Sequence, residues 1–124
     1  MTDVVTLQLP RERDFFGVAH LVLGGLGARL DLTYDVLEEM TTAIDELLNQ
    51  REVTDDVTLT VKIEEGALSA TVGPFSSRVA EELHTSDTGL GLRRVLETTV
   101  DAVAVSEHDG GHWVELRKSV EGGG

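Results

Sequence analysis

Apolar and polar positions alternate near both ends of this chain and fall into helical stripes in between. Val5, Leu7 and Leu9 alternate with Thr6 and Gln8, which reads as a strand stopped by Pro10. From Glu12 to about Leu30, Phe15, Ala19, Val22, Leu26 and Leu30 recur at helical spacing. Gly24, Gly25 and Gly27 weaken that helix, each costing about 1 kcal/mol relative to Ala. The next helix is better defined. Thr33 suits its N-cap and Asp35 complements the dipole in its first turn. Val36, Leu37, Met40, Ala43, Ile44, Leu47 and Leu48 then form one apolar stripe, flanked on one side by Glu39, Thr42 and Glu46.

After the polar segment 50–56, Val57, Leu59, Val61 and Ile63 alternate with polar residues. Glu65-Gly66 turns the chain back into Leu68, Ala70 and Val72, which predicts a β-hairpin ended by Gly73-Pro74. A short helix is expected over Arg78–Leu83, a polar loop over Thr85–Thr88, and a helix over Leu90–Thr99 with Leu92, Val95 and Leu96 inward. A last hairpin runs from Ala102–Ser106 through Asp109-Gly110-Gly111 to Trp113–Lys118, with Trp113 read as strand packing. The order β-α-α-β-β-(α)-α-β-β predicts an α+β fold: a two-layer sandwich whose mixed, mainly antiparallel sheet carries helices on one face. Residues 1–118 are expected to form a single domain and 119–124 a flexible tail.

Composition narrows the function. The 124 residues suffice for one core, and 40% hydrophobic with 27% charged residues is ordinary for a soluble globular protein. No apolar run could span a bilayer and no charged-then-apolar leader opens the chain, so a cytoplasmic protein with no membrane partner is expected. The absence of cysteine excludes disulfides and thiolate metal sites. Ten basic residues against 23 acidic ones give a net charge of −13. That balance argues against direct nucleic-acid binding and suits a basic protein partner. His108 and His112 flank the last turn without a third ligand nearby.

The chemistry-bearing segment is Asp87-Thr88-Gly89-Leu90-Gly91-Leu92-Arg93-Arg94, a glycine loop that opens a helix. Gly89 and Gly91 allow a close backbone approach, and the helix N-terminus offers free N–H groups to an anion. Arg93 and Arg94 could add to such a site, although cations in a first turn oppose the dipole, which favours a solvated role for at least one of them.

With these elements in place, the chain resembles the GHKL ATPase fold. More closely it resembles the small bacterial serine kinases that act as anti-sigma factors, the RsbW type. The segment Ala43-Ile44-Asp45-Glu46-Leu47-Leu48-Asn49-Gln50 looks like that family's first nucleotide box. Gly73-Pro74-Phe75 sits where the second box closes. Thr88-Gly89-Leu90-Gly91-Leu92, followed by Val100-Asp101-Ala102-Val103, looks like the third box and its following strand, and Gly110–Lys118 resembles the last hairpin.

The resemblance implies Glu46 as the base that takes a proton from a serine hydroxyl on an antagonist protein, and Asn49 or Gln50 as the Mg²⁺ ligand. It implies Thr71 at the adenine-reading position with Gly73 closing the box, and Thr88, Gly89, Leu90, Gly91 and Leu92 around the phosphates. It implies a sigma factor, an anti-sigma factor antagonist, or both, as partners, and leaves room for a homodimer. The chain departs from the pattern at several points. The family's Asn corresponds to Gln50, whose extra methylene displaces a ligand oxygen, while Asn49 comes one residue early. At about 100° per residue Asn49 and Gln50 fall about 60° and 40° to either side of Glu46. Thr71 stands where the family has Asp, the second box lacks a second glycine, and His112 replaces a Thr or Ser. The expectation is therefore an anti-sigma-type regulator in which ATP and Mg²⁺ binding is weak or absent. An active serine kinase is the alternative, and a nucleotide-independent scaffold module is a further one.

Overall fold

In the computed structural model the described residues are 4–10, 16–30, 32–48, 56–64, 66–84, 92–108 and 110–119. The elements follow the expected order: β1 (Val4–Pro10), α1 (Phe16–Leu30), α2 (Tyr34–Leu48), β2 (Asp56–Glu64), β3 (Ala67–Phe75), α3 (Ser77–His84), α4 (Leu92–Glu97), β4 (Ala102–His108) and β5 (Gly111–Ser119). The strands form one five-stranded sheet in the order β1-β2-β3-β5-β4. All four of its described pairings are antiparallel.

Strand alternation divides the sheet into two faces. Leu9, Val57, Leu59, Val61, Leu68, Ala70, Val72, Val114 and Leu116 are buried and join Ala19, Leu23, Met40, Ile44 and Leu47 of the helices in one core. A fully buried Leu or Val contributes about 1.5–3 kcal/mol relative to exposure, so this single layer of contacts is the main stabilising term. The opposite face carries Thr6, Thr60, Thr71, Glu115 and their neighbours in register, with no described helix over it.

The turns and caps follow the residues that the chain supplies. Thr33 caps α2, its Oγ1 accepting from the Val36 N–H at 3.3 Å. Gly66 and Gly110 both take a φ of +77°, the left-handed conformation that tight hairpin turns require. Within the described residues, α4 stops short of the expected end at Thr99. It ends at Glu97, where the carbonyls of Val95 and Leu96 accept both backbone N–H groups of the following turn and the hydroxyls of Thr98 and Thr99, the latter at 2.6 and 2.9 Å.

Two expectations need correction. Gly73-Pro74 does not end the hairpin. β3 runs on to Phe75 through a cis Gly73-Pro74 peptide, and a register shift between Val72 and Phe75 accommodates it against β5. The inward side of α1 includes Leu23 at 1% exposure, whereas the expected Val22 is only half-buried. Gly27 is where α1 gains from lacking a side chain: a Cβ there would lie 2.7 Å from Cδ2 of Leu37, so the glycine lets α1 and α2 come close. The expected strand Trp113–Lys118 lies within a longer β5 that reaches Ser119.

Candidate functional site

Helix α2 has two polar flanks with different tasks. On one, Asp45 accepts from, or is paired with, the His20 ring of α1 at 2.7 Å. On the other lie Glu39 and Glu46, seven residues and about two turns apart. Glu39 meets the Lys118 ammonium of β5 at 2.8 Å, which fixes that flank toward the last strand. Glu46 is half-buried on the same flank. The same helix also packs on α4, the element that the glycine loop enters.

The remaining sequence-predicted positions divide sharply. Asn49 and Gln50 follow directly on α2 but lie outside the described residues, as do Thr88, Gly89, Leu90 and Gly91. Leu92 opens α4. Thr71 is described, and it is not with Glu46. It stands between Thr60 of β2 and Glu115 of β5 on the helix-free face, while its neighbours Ala70 and Val72 point into the core at 0% exposure. Thr71 and Glu46 are therefore on opposite sides of the sheet.

Gly73 is buried, and its environment explains the residue without reference to a ligand. A Cβ at Gly73 would lie 2.7 Å from Cδ2 and Cε3 of Trp113 and 3.1 Å from the His112 carbonyl oxygen. The indole thus lies directly on the Gly73 backbone, in agreement with strand packing for Trp113. Gly111 plays the reciprocal part, since a Cβ there would come within 2.6 Å of Pro74 Cβ.

Arg93 and Arg94 part company. Arg93 donates to the Leu83 carbonyl at 2.9 Å and the Val103 carbonyl at 3.5 Å, and pairs with Glu97 at 3.0 Å. One guanidinium thereby joins α3, α4 and β4, while Arg94 is exposed. This use of Arg93 could not be read from spacing, because two of its partners are backbone oxygens ten residues away in either direction. The Glu39–Lys118 pair was equally hidden, since it joins a helix to a strand 79 positions further along the chain. His112 Nε2 lies 3.9 Å from Glu107, and no group of three His, Asp or Glu able to hold a metal exists among the described residues. A cavity of about 290 Å³ lies at the far end of the sheet, between the β2–β3 turn and the end of β5. It is lined by Gly66, Asp101, Arg117 and Lys118 among others, and by none of the predicted site residues.

No protein-family profile matches the chain. It is homologous to the serine-protein kinase RsbW of Bacillus subtilis, with 25% identity over 87% of this chain and 81% of the relative. The serine-protein kinase RsbW of Bacillus velezensis matches at 26% identity with the same coverage. In three dimensions the chain resembles the crystal structure of the RsbU and RsbW domains of a Mycobacterium tuberculosis protein. That match has a TM-score of 0.69 at 13% identity, over 95% of this chain and 32% of that longer one. The fold is the GHKL-like one.

Proposed function

We propose that this chain is an anti-sigma-type regulator of transcription. It acts in the cytoplasm by binding a sigma factor, an anti-sigma antagonist, or both, and its ATP and Mg²⁺ binding is weakened or lost. The homology to RsbW over 87% of the chain carries this reading. The weakened nucleotide site follows from β3, which contains no carboxylate between Ala67 and Phe75 and turns Thr71 away from Glu46. Without an acceptor on the helix side of β3, the adenine amino group has no charged partner there, and affinity falls with it.

An active serine kinase is the second reading. It is favoured by Glu46, a half-buried carboxylate on the α2 flank that is suited to accept a hydroxyl proton, and by the kinase names of the relatives. Calorimetric titration of the purified chain with ATP and Mg²⁺ separates the two. Absence of heat and of any thermal shift at millimolar ATP supports the regulator with a lost site. Saturable micromolar binding that disappears in Glu46→Ala overturns that part and favours the kinase. Co-purification from the native cytoplasm tests the partner. Recovery of a sigma factor or of a small antagonist protein is expected, and recovery of neither at low salt removes the regulatory reading.

A further inference from the structure

The sheet order leaves β4 with β5 on one side and no described strand on the other. Three features fix the phase of its backbone groups. His108 pairs with Gly111 across a connection of two residues, and the pair that closes so short a hairpin exchanges both of its hydrogen bonds. Ladder bonds therefore fall at His108, Ser106, Ala104 and Ala102, while Glu107, Val105 and Val103 turn their N–H and C=O groups off the sheet. The Val103 carbonyl agrees, since it accepts from Arg93 Nη2 at 3.5 Å, a helix side chain rather than a strand. So does Asp101, whose N–H donates at 2.9 Å to the carbonyl of Arg117, the partner of Ala102, as in a bulge that keeps Ala102 on the ladder.

An edge with outward N–H and C=O groups is a template for one more strand, and folds commonly blunt it with Lys, Pro or an inward charge. β4 contains no Lys, Arg or Pro, and Ala102-Val103-Ala104-Val105-Ser106 is uncharged in a chain of which 27% is charged. β1, at the opposite edge, ends in Pro10. Arg93 occupies the outward carbonyl of Val103. Among the described residues, the outward groups of Val105 and Glu107 have no partner.

The side chains along this stretch define what fits beside it. On the core face Val105 is half-buried and extends the apolar layer to the edge. On the helix-free face Ala104 and Ser106 are small and exposed, so a long side chain laid across them points toward Glu115, the residue paired with Ala104. Glu107 adds a second carboxylate, 69% exposed, and the net charge of −13 draws in cations. The complement is an extended chain in which apolar and basic residues alternate.

We propose that the outer edge of β4 is a docking site for an extended, basic segment of another protein, which adds a strand to the sheet by pairing with Val105 and Glu107. Its apolar residues sit beside Val105, and its Lys or Arg residues cross Ala104 and Ser106 toward Glu115. The inference goes beyond the regulatory reading and does not rest on it, since the sheet edge alone carries it.

A short synthetic peptide of alternating Lys and Val, added to the full chain at up to about 2 mM, tests it. Amide exchange followed by NMR is expected to slow at Val105 and Glu107, and to change little at Ala104 and Ser106, whose N–H groups β5 already holds. Methylating the peptide nitrogens that face β4 keeps its side chains and charge but removes the donors. Affinity is then expected to fall about tenfold or more. Glu107→Pro removes an outward N–H at an exposed position and takes no bond from the β4–β5 ladder. That variant is expected to keep its circular dichroism and to bind about tenfold more weakly, whereas Glu107→Gln, which removes only the charge, loses less.

No protection of Val105 and Glu107 at about 2 mM peptide overturns the proposal. So does binding indifferent to the methylated nitrogens, which is charge attraction alone, or protection that appears along β1 instead. Protection of the two amides in the free chain that fades on dilution overturns it too, because the edge then belongs to a second copy.

Discussion

The Lys118 ammonium lies 2.8 Å from Oε1 of Glu39, tying the end of the last strand to helix α2 two turns before Glu46. The two ends of the pair differ in environment, with the Lys118 side chain 14% exposed and that of Glu39 45% exposed. Removing the carboxylate leaves a mostly buried cation without its ion pair, whereas removing both charges does not. Glu39→Ala is expected to cost about 1 kcal/mol, more than the Glu39→Ala/Lys118→Met double variant. Urea denaturation read by circular dichroism, arranged as a double-mutant cycle, measures the coupling. A coupling of zero would show that the pair adds nothing to stability.

Gly73→Ala is expected to destabilise the fold by about 1–3 kcal/mol, because its Cβ meets the Trp113 ring and the His112 carbonyl together. Gly17→Ala has open space and a helical backbone, and is expected to stabilise or leave unchanged. Thermal melts should therefore fall for Gly73→Ala and hold or rise for Gly17→Ala. Equal shifts would mean that the indole yields freely.

Arg93 holds three elements with one side chain, so its loss should be felt beyond α4. Arg93→Ala is expected to cost about 2 kcal/mol, the range for hydrogen bonds made by a charged group. Amide exchange should accelerate at the end of α3 and in β4 together. Arg94→Ala, an exposed position, should leave both rates unchanged.

How much of this could be read beforehand varies with the range of the interaction. The alternation of Val57, Leu59 and Val61, the Thr33 cap, and the turns at Gly66 and Gly110 are local, and all appear where the residues place them. The passage of β3 through Pro74 departs from the local pattern, because a proline terminates a strand only where its missing N–H and ring are not accommodated, and the register shift against β5 accommodates them. The site was legible as a set of residue types but not as a constellation. Whether Thr71 faces Glu46 depends on strand phase, and a one-residue difference in phase moves a side chain to the other face. Arg93 and Lys118 find their partners through tertiary packing, which leaves no mark in local spacing.

That phase has a consequence for nucleotide binding. Thr71→Asp, the change that would restore an acidic residue at the box position, places its carboxylate beside Glu115 on the helix-free face. It is expected to leave ATP affinity unchanged and to lower stability by up to about 1 kcal/mol through like-charge pairing across the strands. Calorimetry with ATP and Mg²⁺ checks the first part. A gain in affinity would mean that this face of β3 does reach the nucleotide.

Tyr34 offers a titration that can be read without interference, being the chain's one tyrosine. Its hydrogen bond to Glu38 and the charge of that carboxylate, with smaller effects from burial and Asp35, raise its pKa above the ordinary 10.0. The folded state thus holds the phenolic proton more tightly than the unfolded chain. The resulting stabilisation is present below pH 10 and is lost as pH rises through the raised value. Tyrosinate absorbance should show a midpoint above 10.0 that falls back toward it in Glu38→Gln.

Trp113 packed on the Gly73 backbone gives the molecule an optical reporter of its own. It is the sole tryptophan, and it sits where β3, the cis Gly73-Pro74 peptide and the β4–β5 hairpin meet. Its emission therefore reports on one corner of the sheet, without labelling and without background from any other indole. A ligand or protein that disturbs this corner announces itself as a spectral shift, and one that binds elsewhere leaves the spectrum silent.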